Sequence, residues 1–261
     1  MQVTENSGVF GRYGSGTITL ASMLNILYRD DYLVAINKPA GLLVHRSNID
    51  RQETRFALQL LRDQIGQRVY PLHRLDKPTS GVLLFALDVD SARRAGGQFE
   101  RNEVHKDYLA VVRGWPPEAG VIDHPLSRQF DDYGRQLLVG SPPEALAART
   151  EYRRLACVEL PEAVDRYPTA RYALVALTPK SGRQHQLRRH MKHIAHPIIG
   201  DANWGKGVHN RFFQQRFACR RLLLACTRID LQHPQDGRML CIEAPLEDSF
   251  AGVISALGWN Q

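Results

Sequence analysis

The chain has 261 residues, 43% of them apolar and 23% charged, a composition that excludes disordered, fibrous and disulfide-stapled classes. No run approaches the ~20 apolar residues of a membrane-spanning helix, so no membrane partner is expected. Lys plus Arg reaches 34 against 27 Asp plus Glu, a formal charge of +7 dominated by arginine, which points towards a polyanion such as nucleic acid without requiring one.

Residues 1–22 are rich in Gly, Ser and Thr and read as a flexible tail. The spacing of Gly11, Gly14 and Gly16 fits no phosphate loop. Arg12 is the one cation there and no apolar stretch accompanies it, so neither a secretory nor a mitochondrial leader is expected, and a cytoplasmic location is. Met23 opens the first patterned run and is a candidate start; from it to residue 261 we expect one domain, with no repeat and no linker. Cys157, Cys219, Cys226 and Cys241 lack CxxC spacing and are expected as buried, reduced thiols.

Residues 24–28 and 33–37 read as strands around an Asp30-Asp31 turn, 38–41 as a turn and 42–45 as another short strand. Over 54–65, Phe56, Leu60 and Leu61 have the spacing of an amphipathic helix. The unbroken apolar run 82–87 predicts a fully buried strand, 91–100 a helix despite Gly96-Gly97, and 108–113 a strand stopped by Gly114. A polar stretch, 127–148, reads as an extended excursion. Strands are expected over 152–158 and 173–177, then a helix after Gly182 with Leu187, Met191, Ile194 and Ala195 on one face. Residues 222–231 and 239–243 predict a hairpin about Asp236-Gly237, and 246–257 a closing helix. Strands clustered with occasional helices indicate an α+β fold with a mixed, largely antiparallel sheet.

Three segments could carry chemistry. The first, His73-Arg74-Leu75-Asp76-Lys77-Pro78-Thr79-Ser80-Gly81, stands at the mouth of the buried run 82–87. A rigid strand there would aim a charged side chain at solvent, although an ordinary strand-entry turn has the same look. A kinase loop is ruled out: Leu75 separates Arg74 from Asp76, and no DFG or Gly-rich loop exists. The second segment places Arg183, Arg188, Arg189 and Lys192 within ten residues, either a phosphate-binding patch or a solvated helix face. Its histidines at 185, 190, 193 and 196 lack the HExxH pattern, so no metal is expected. The third, 105–114, alternates Tyr108, Ala110 and Val112 against Leu109 and Val111. Alone, Tyr108 reads as packing.

Together the segments change this picture. HRLDKPTSGVLLFA (73–86), KDYLAVVRG (106–114) and GRQHQLRRH (182–190) follow one another in an order that resembles the pseudouridine synthases of the ribosomal large-subunit and tRNA type. The likeness extends from Met23 over nearly all of the chain, including 37–41 and 196–201. Segments 43–47, 62–67 and 166–169 and the pair Lys77-Pro78 resemble a tRNA-modifying branch, as does the lack of a preceding S4-like RNA-binding domain.

The resemblance implies a single catalytic domain with an active-site cleft that isomerises uridine to pseudouridine in RNA without cofactor or metal. For the branch the target is uridine-65 of tRNA. The same motifs also serve 23S rRNA and other tRNA positions, and a catalytically silent RNA-binding protein is the rival class. Asp76 matches the family's nucleophile, Arg188 the arginine paired with it, and Tyr108 the tyrosine that stacks on the target base and is a candidate proton acceptor. Leu187 matches an apolar wall of the pocket and Arg74 the arginine that holds the flipped nucleotide. Arg183 and Arg189 are expected on RNA phosphates.

Overall fold

The structure is a computed structural model that describes residues 23–45, 54–127 and 144–259. The expected tail over 1–22 and most of the 127–148 excursion fall outside the described residues. In chain order the elements are β1 (Asn25–Arg29), β2 (Leu33–Lys38), α1 (Ala57–Ile65), β3 (Tyr70–Pro71), β4 (Ser80–Ala86), α2 (Val89–Glu100), β5 (His105–Arg113) and β6 (Ala119–Asp123). They continue with β7 (Arg149–Leu160), β8 (Ala170–Pro179), α3 (Gln186–His193), α4 (Gly207–Phe217), β9 (Leu224–Gln232), β10 (Met239–Glu243) and α5 (Asp248–Ala256).

Among the described residues the strands form one sheet in the order β1-β2-β4-β9-β5-β8-β7-β6, with β3 beside β4 and β10 beside β9. Every pairing is antiparallel except β4 with β9, where Ser80 faces Ala225 and Gly81 faces Cys226. The α+β, largely antiparallel expectation therefore holds. All seven residues of β4 are buried. Each Val, Leu or Phe there contributes ~1.5–3 kcal/mol of apolar burial, enough to make the strand a stiff mount for whatever precedes it.

Two apolar layers cover the two faces. Tyr108, Ala110 and Val112 of β5 join Leu61 of α1 and Leu187 and Met191 of α3 in the first. Val111 joins Tyr172, Phe213 of α4 and Phe250 of α5 in the second, with Leu109 packed against it. The alternation read along 108–112 is thus the division between the layers.

Several elements differ from expectation. Residues 42–45 make only an isolated bridge, Leu43 to Phe56, and the helix begins at Ala57 because Phe56 is extended, at φ −132°. Helix α3 stops at His193; Ile194 caps it and Ala195, at φ 65°, turns the chain away. Strands β3 and β6 and helix α4 were not anticipated. β6 buries only Ile122 completely, and α4 only His209 and Phe213, so neither carries an apolar period. Of the cysteines, Cys219 and Cys226 are buried, but Cys157 and Cys241 are exposed because strand alternation turns them outward on β7 and β10.

Candidate active site

The loop between β3 and β4 is fastened on three sides. At its start, Leu72 N donates to Leu84 O (3.0 Å) and Leu84 N donates to Nε2 of His73 (3.2 Å), which ties the loop to β4. Thr79 N then donates to Asp76 O (3.0 Å), closing a turn over Lys77-Pro78. Beneath that turn lies Lys38, wholly buried, whose Nζ donates to the carbonyls of Pro39 (2.8 Å), Leu42 (2.8 Å) and Lys77 (3.2 Å). Burial pulls the Lys38 amine down to about 7, the Asp76 charge opposing it. Three carbonyls around one ammonium favour its charged form. Behind these loops Arg221 donates to Ser80 Oγ (2.6 Å) and pairs with Glu247, which in turn accepts from Ala40 N (2.9 Å).

Helix α3 brings the partner. Gln186 is buried and saturated: its Oε1 accepts from Ser181 Oγ and Arg183 N, while its Nε2 donates to Arg149 O and Thr150 Oγ1. That anchor holds His185 at φ 54° and aims the next turn at the loop. Arg188 Nη1 donates to Asp76 Oδ2 at 2.9 Å, with the Arg188 side chain 5% and the Asp76 side chain 28% exposed. The rest of the guanidinium is gripped by the fully buried Asp201, Nε to Oδ2 at 2.7 Å and Nη2 to Oδ1 at 2.9 Å. Burial alone would raise the Asp201 carboxyl; the Arg188 fork and the N–H groups of Trp204 and Asn203 outweigh it and hold the group below the ordinary carboxylate value.

Tyr108 faces this pair from β5. Burial first, then the neighbouring Cys226 thiol and the Asp76 charge, push its phenol well above the ordinary value, so it stands as a neutral phenol. His185 puts its Nε2 3.9 Å from Asp76 Oδ1, and Trp204 Nε1 donates to its Nδ1 at 3.4 Å. Burial lowers this imidazole, with Asp76 partly offsetting the effect.

Asp76, Arg188, Tyr108 and His185 line a cavity of about 550 Å³, the scale of one nucleotide. Of the residues singled out in the sequence, Asp76, Tyr108, Leu187, Arg188, Arg74 and Arg183 line it. Arg189 does not: its Nη1 donates to Ser127 O (2.7 Å) and its guanidinium lies 5.6 Å from the Trp204 ring centroid. The expected cation cluster is therefore divided. Arg188 is inside an ion pair, Arg183 and Lys192 are exposed, and Arg189 is half-buried. The histidines also part ways, His190 taking Thr150 and the His124 carbonyl and His196 the Arg113 carbonyl.

Sequence reasoning gave no role to Lys38, Lys106 or Asp201, named His73 only as part of its loop and weighed His185 only as a metal ligand. Lys106 had a usable signal, since it precedes Tyr108 by two residues and must share its strand face. Asp201 closes the segment 196–201 that shares in the resemblance, but nothing local in it points to Arg188, to which only the fold brings it.

A family model described as RNA pseudouridylate synthase matches residues 32–193. The tRNA pseudouridine synthase C of Vibrio cholerae serotype O1 is 50% identical over 239 residues, covering 92% of this chain and 98% of that protein. The tRNA pseudouridine synthase C of Salmonella typhi is 48% identical over 242 residues, covering 91% of each. Among solved structures, Human RNA Pseudouridylate Synthase Domain Containing 4 superposes with a TM-score of 0.67 at 28% identity, over 90% of this chain and 93% of that one.

Proposed function

The chain belongs to the RNA pseudouridylate synthase family, and from that premise we propose that it converts uridine-65 of tRNA to pseudouridine with Asp76 as nucleophile. The family reaction is an isomerisation whose atoms balance without a co-substrate: the C1′–N1 bond breaks, a C1′–C5 bond forms, C5 loses a proton and N1 gains one. The observation that carries the reading is the Asp76–Arg188 pair facing Tyr108 across a nucleotide-sized cavity. The guanidinium at 2.9 Å holds the Asp76 carboxylate in place at the cavity wall, where it can act as a nucleophile.

The target base must leave its helix to reach Asp76. Tyr108 stacks on it and Leu187 walls it, while Arg74, exposed at the rim, fills the space it leaves. The raised Tyr108 phenol favours stacking; taking the C5 proton would require it first to lose its own. Arg183, exposed where it lines the cavity, and the half-buried Arg189 hold phosphates. The choice of tRNA rests on the curated relatives, which are named for it. Among the described residues no helix is long and apolar enough to cross a membrane, and we place the enzyme in the cytoplasm with its substrate.

Tritium release from tRNA transcripts labelled with [5-³H]uridine tests this directly, because isomerisation replaces C5–H by C5–C1′. Wild type is expected to release tritium and Asp76→Asn to release none while binding RNA normally. A transcript with cytidine at position 65 should be inert. Release that survives that change would move the target elsewhere, and release by Asp76→Asn would remove Asp76 as nucleophile. Activity on 23S rRNA alone would replace the tRNA assignment.

A further inference from the structure

Lys106 is a buried cation without an anion. Its side chain lies on the Tyr108 face of β5, lines the cavity and is 9% exposed. The adjacent carboxylate, Asp107, takes Thr178 Oγ1 and His105 instead. No hydrogen-bond acceptor or carboxylate among the described residues engages the Lys106 ammonium. What it meets is the Phe99 ring, 5.8 Å from Nζ to the centroid, on which the His73 ring stacks at 5.0 Å. The other two deep cations of the site are treated differently: Lys38 has three carbonyls and Arg188 two carboxylates. An aromatic face offsets only part of an ammonium's desolvation, so an incoming acceptor would be held strongly.

The position narrows the acceptor. Lys106 and Tyr108 stand two residues apart on one face of β5, and both line the cavity. The ammonium therefore sits beside the base that Tyr108 stacks. A uracil there presents carbonyl oxygens at its edge.

We propose that Lys106 is a further catalytic residue, its ammonium holding a carbonyl oxygen of the target uracil and stabilising the negative charge the ring carries when the C1′–N1 bond breaks. This rests on the uridine reading above. If the carboxylate takes C1′, the C1′–N1 electron pair stays on the base and spreads over N1, O2 and O4. If it adds to C6, the C5–C6 pair spreads onto O4. Either route loads a carbonyl oxygen, and forming the C5–C1′ bond discharges it; Lys106 keeps its proton throughout. A fixed donor to a developing oxyanion in a water-poor site acts mainly on the transition state.

The test compares Lys106→Met with wild type in single-turnover tritium release at saturating enzyme, alongside the Kd for tRNA. Lys106→Met should lose about 100-fold in rate while its Kd stays within about threefold, the split expected of a contact made in the transition state. Lys106→Arg should recover part of the rate. In tRNA carrying 5-fluorouridine the fluorine itself stabilises the ring anion, so the penalty of Lys106→Met on consumption of the parent nucleotide should shrink. A packing defect would slow both substrates alike. Where Lys106→Met does not fold, Lys106→Gln carries the same expectations. A loss confined to Kd would assign Lys106 to a phosphate and overturn the proposal, as would an equal penalty on both substrates or a variant as fast as wild type. A wild-type chain inert on every RNA would instead remove the underlying reading and this assignment with it.

Discussion

Arg188 and Asp201 meet in a two-point fork, Nε to Oδ2 at 2.7 Å and Nη2 to Oδ1 at 2.9 Å, with both side chains out of solvent. The fork fixes the plane of the guanidinium, and the remaining Nη1 is what reaches Asp76. Asp201 thus positions the arginine that holds the nucleophile. Its replacement by Asn keeps the shape but removes the charge, leaving a buried fork half-matched. Asp201→Asn is expected to cost about 3 kcal/mol in urea unfolding and at least tenfold in single-turnover rate, with RNA affinity unchanged. An unchanged rate in a folded variant would confine Asp201 to stability.

Asp76 and Arg188 should fail together. Arg188→Met removes the partner of Asp76, leaves the buried Asp201 carboxylate unpaired and is expected to abolish turnover as completely as Asp76→Asn. Residues that act as a unit are not additive, so the double variant should be no slower than either single one. Separate, multiplying losses in tritium release would show that Arg188 contributes something other than the pairing.

How much of this was legible beforehand depended on distance along the chain. The buried run of β4, the alternation of β5 and the hairpin of β9 and β10 are local patterns, and each appears where expected. The loop holding Asp76 was legible because its charges abut an apolar strand. Arg188 was misread locally as one cation of a patch, since nothing near it in sequence announces Asp76, 112 residues away. The grip of Asp201 on Arg188 was invisible for the same reason, whereas Lys38 was missed because backbone carbonyls, two of them as near as Pro39 and Leu42, leave no mark in residue type. Helix α4 went unseen because it is held by the Tyr172–His209 hydrogen bond and Phe213 rather than by an apolar stripe.

Gly81 makes the parallel contact of β4 with β9 possible. A Cβ built there would sit 2.0 Å from the Cys226 carbonyl oxygen, and the residue's φ of +110° is itself hostile to side chains. Neither strand can retreat, since β4 is packed on both faces. Gly81→Ala is expected to destabilise the fold by more than about 3 kcal/mol, read as a lowered urea midpoint or loss of soluble protein. A midpoint equal to wild type would mean that the two strands have more freedom than this close approach implies.

His73 should make stability fall in acid. Its Nε2 accepts the Leu84 N–H, so a proton on that nitrogen breaks the bond that ties the Asp76 loop to β4. Burial, with Lys106 nearby, holds the ring at about 3, below the ~6.5 of an unfolded histidine. Between those values the unfolded chain takes up a proton that the folded chain refuses. Stability from this group is therefore whole above pH ~6.5 and is lost as the pH falls towards 3, by at most ~1.4 kcal/mol per unit. His209, lowered to about 4 by its burial, adds to the same slope. His73→Gln cannot titrate, so its unfolding free energy should fall less steeply than wild type from pH 6.5 to 4. Parallel curves for the two proteins would show that the folded chain protonates His73 as readily as the unfolded one.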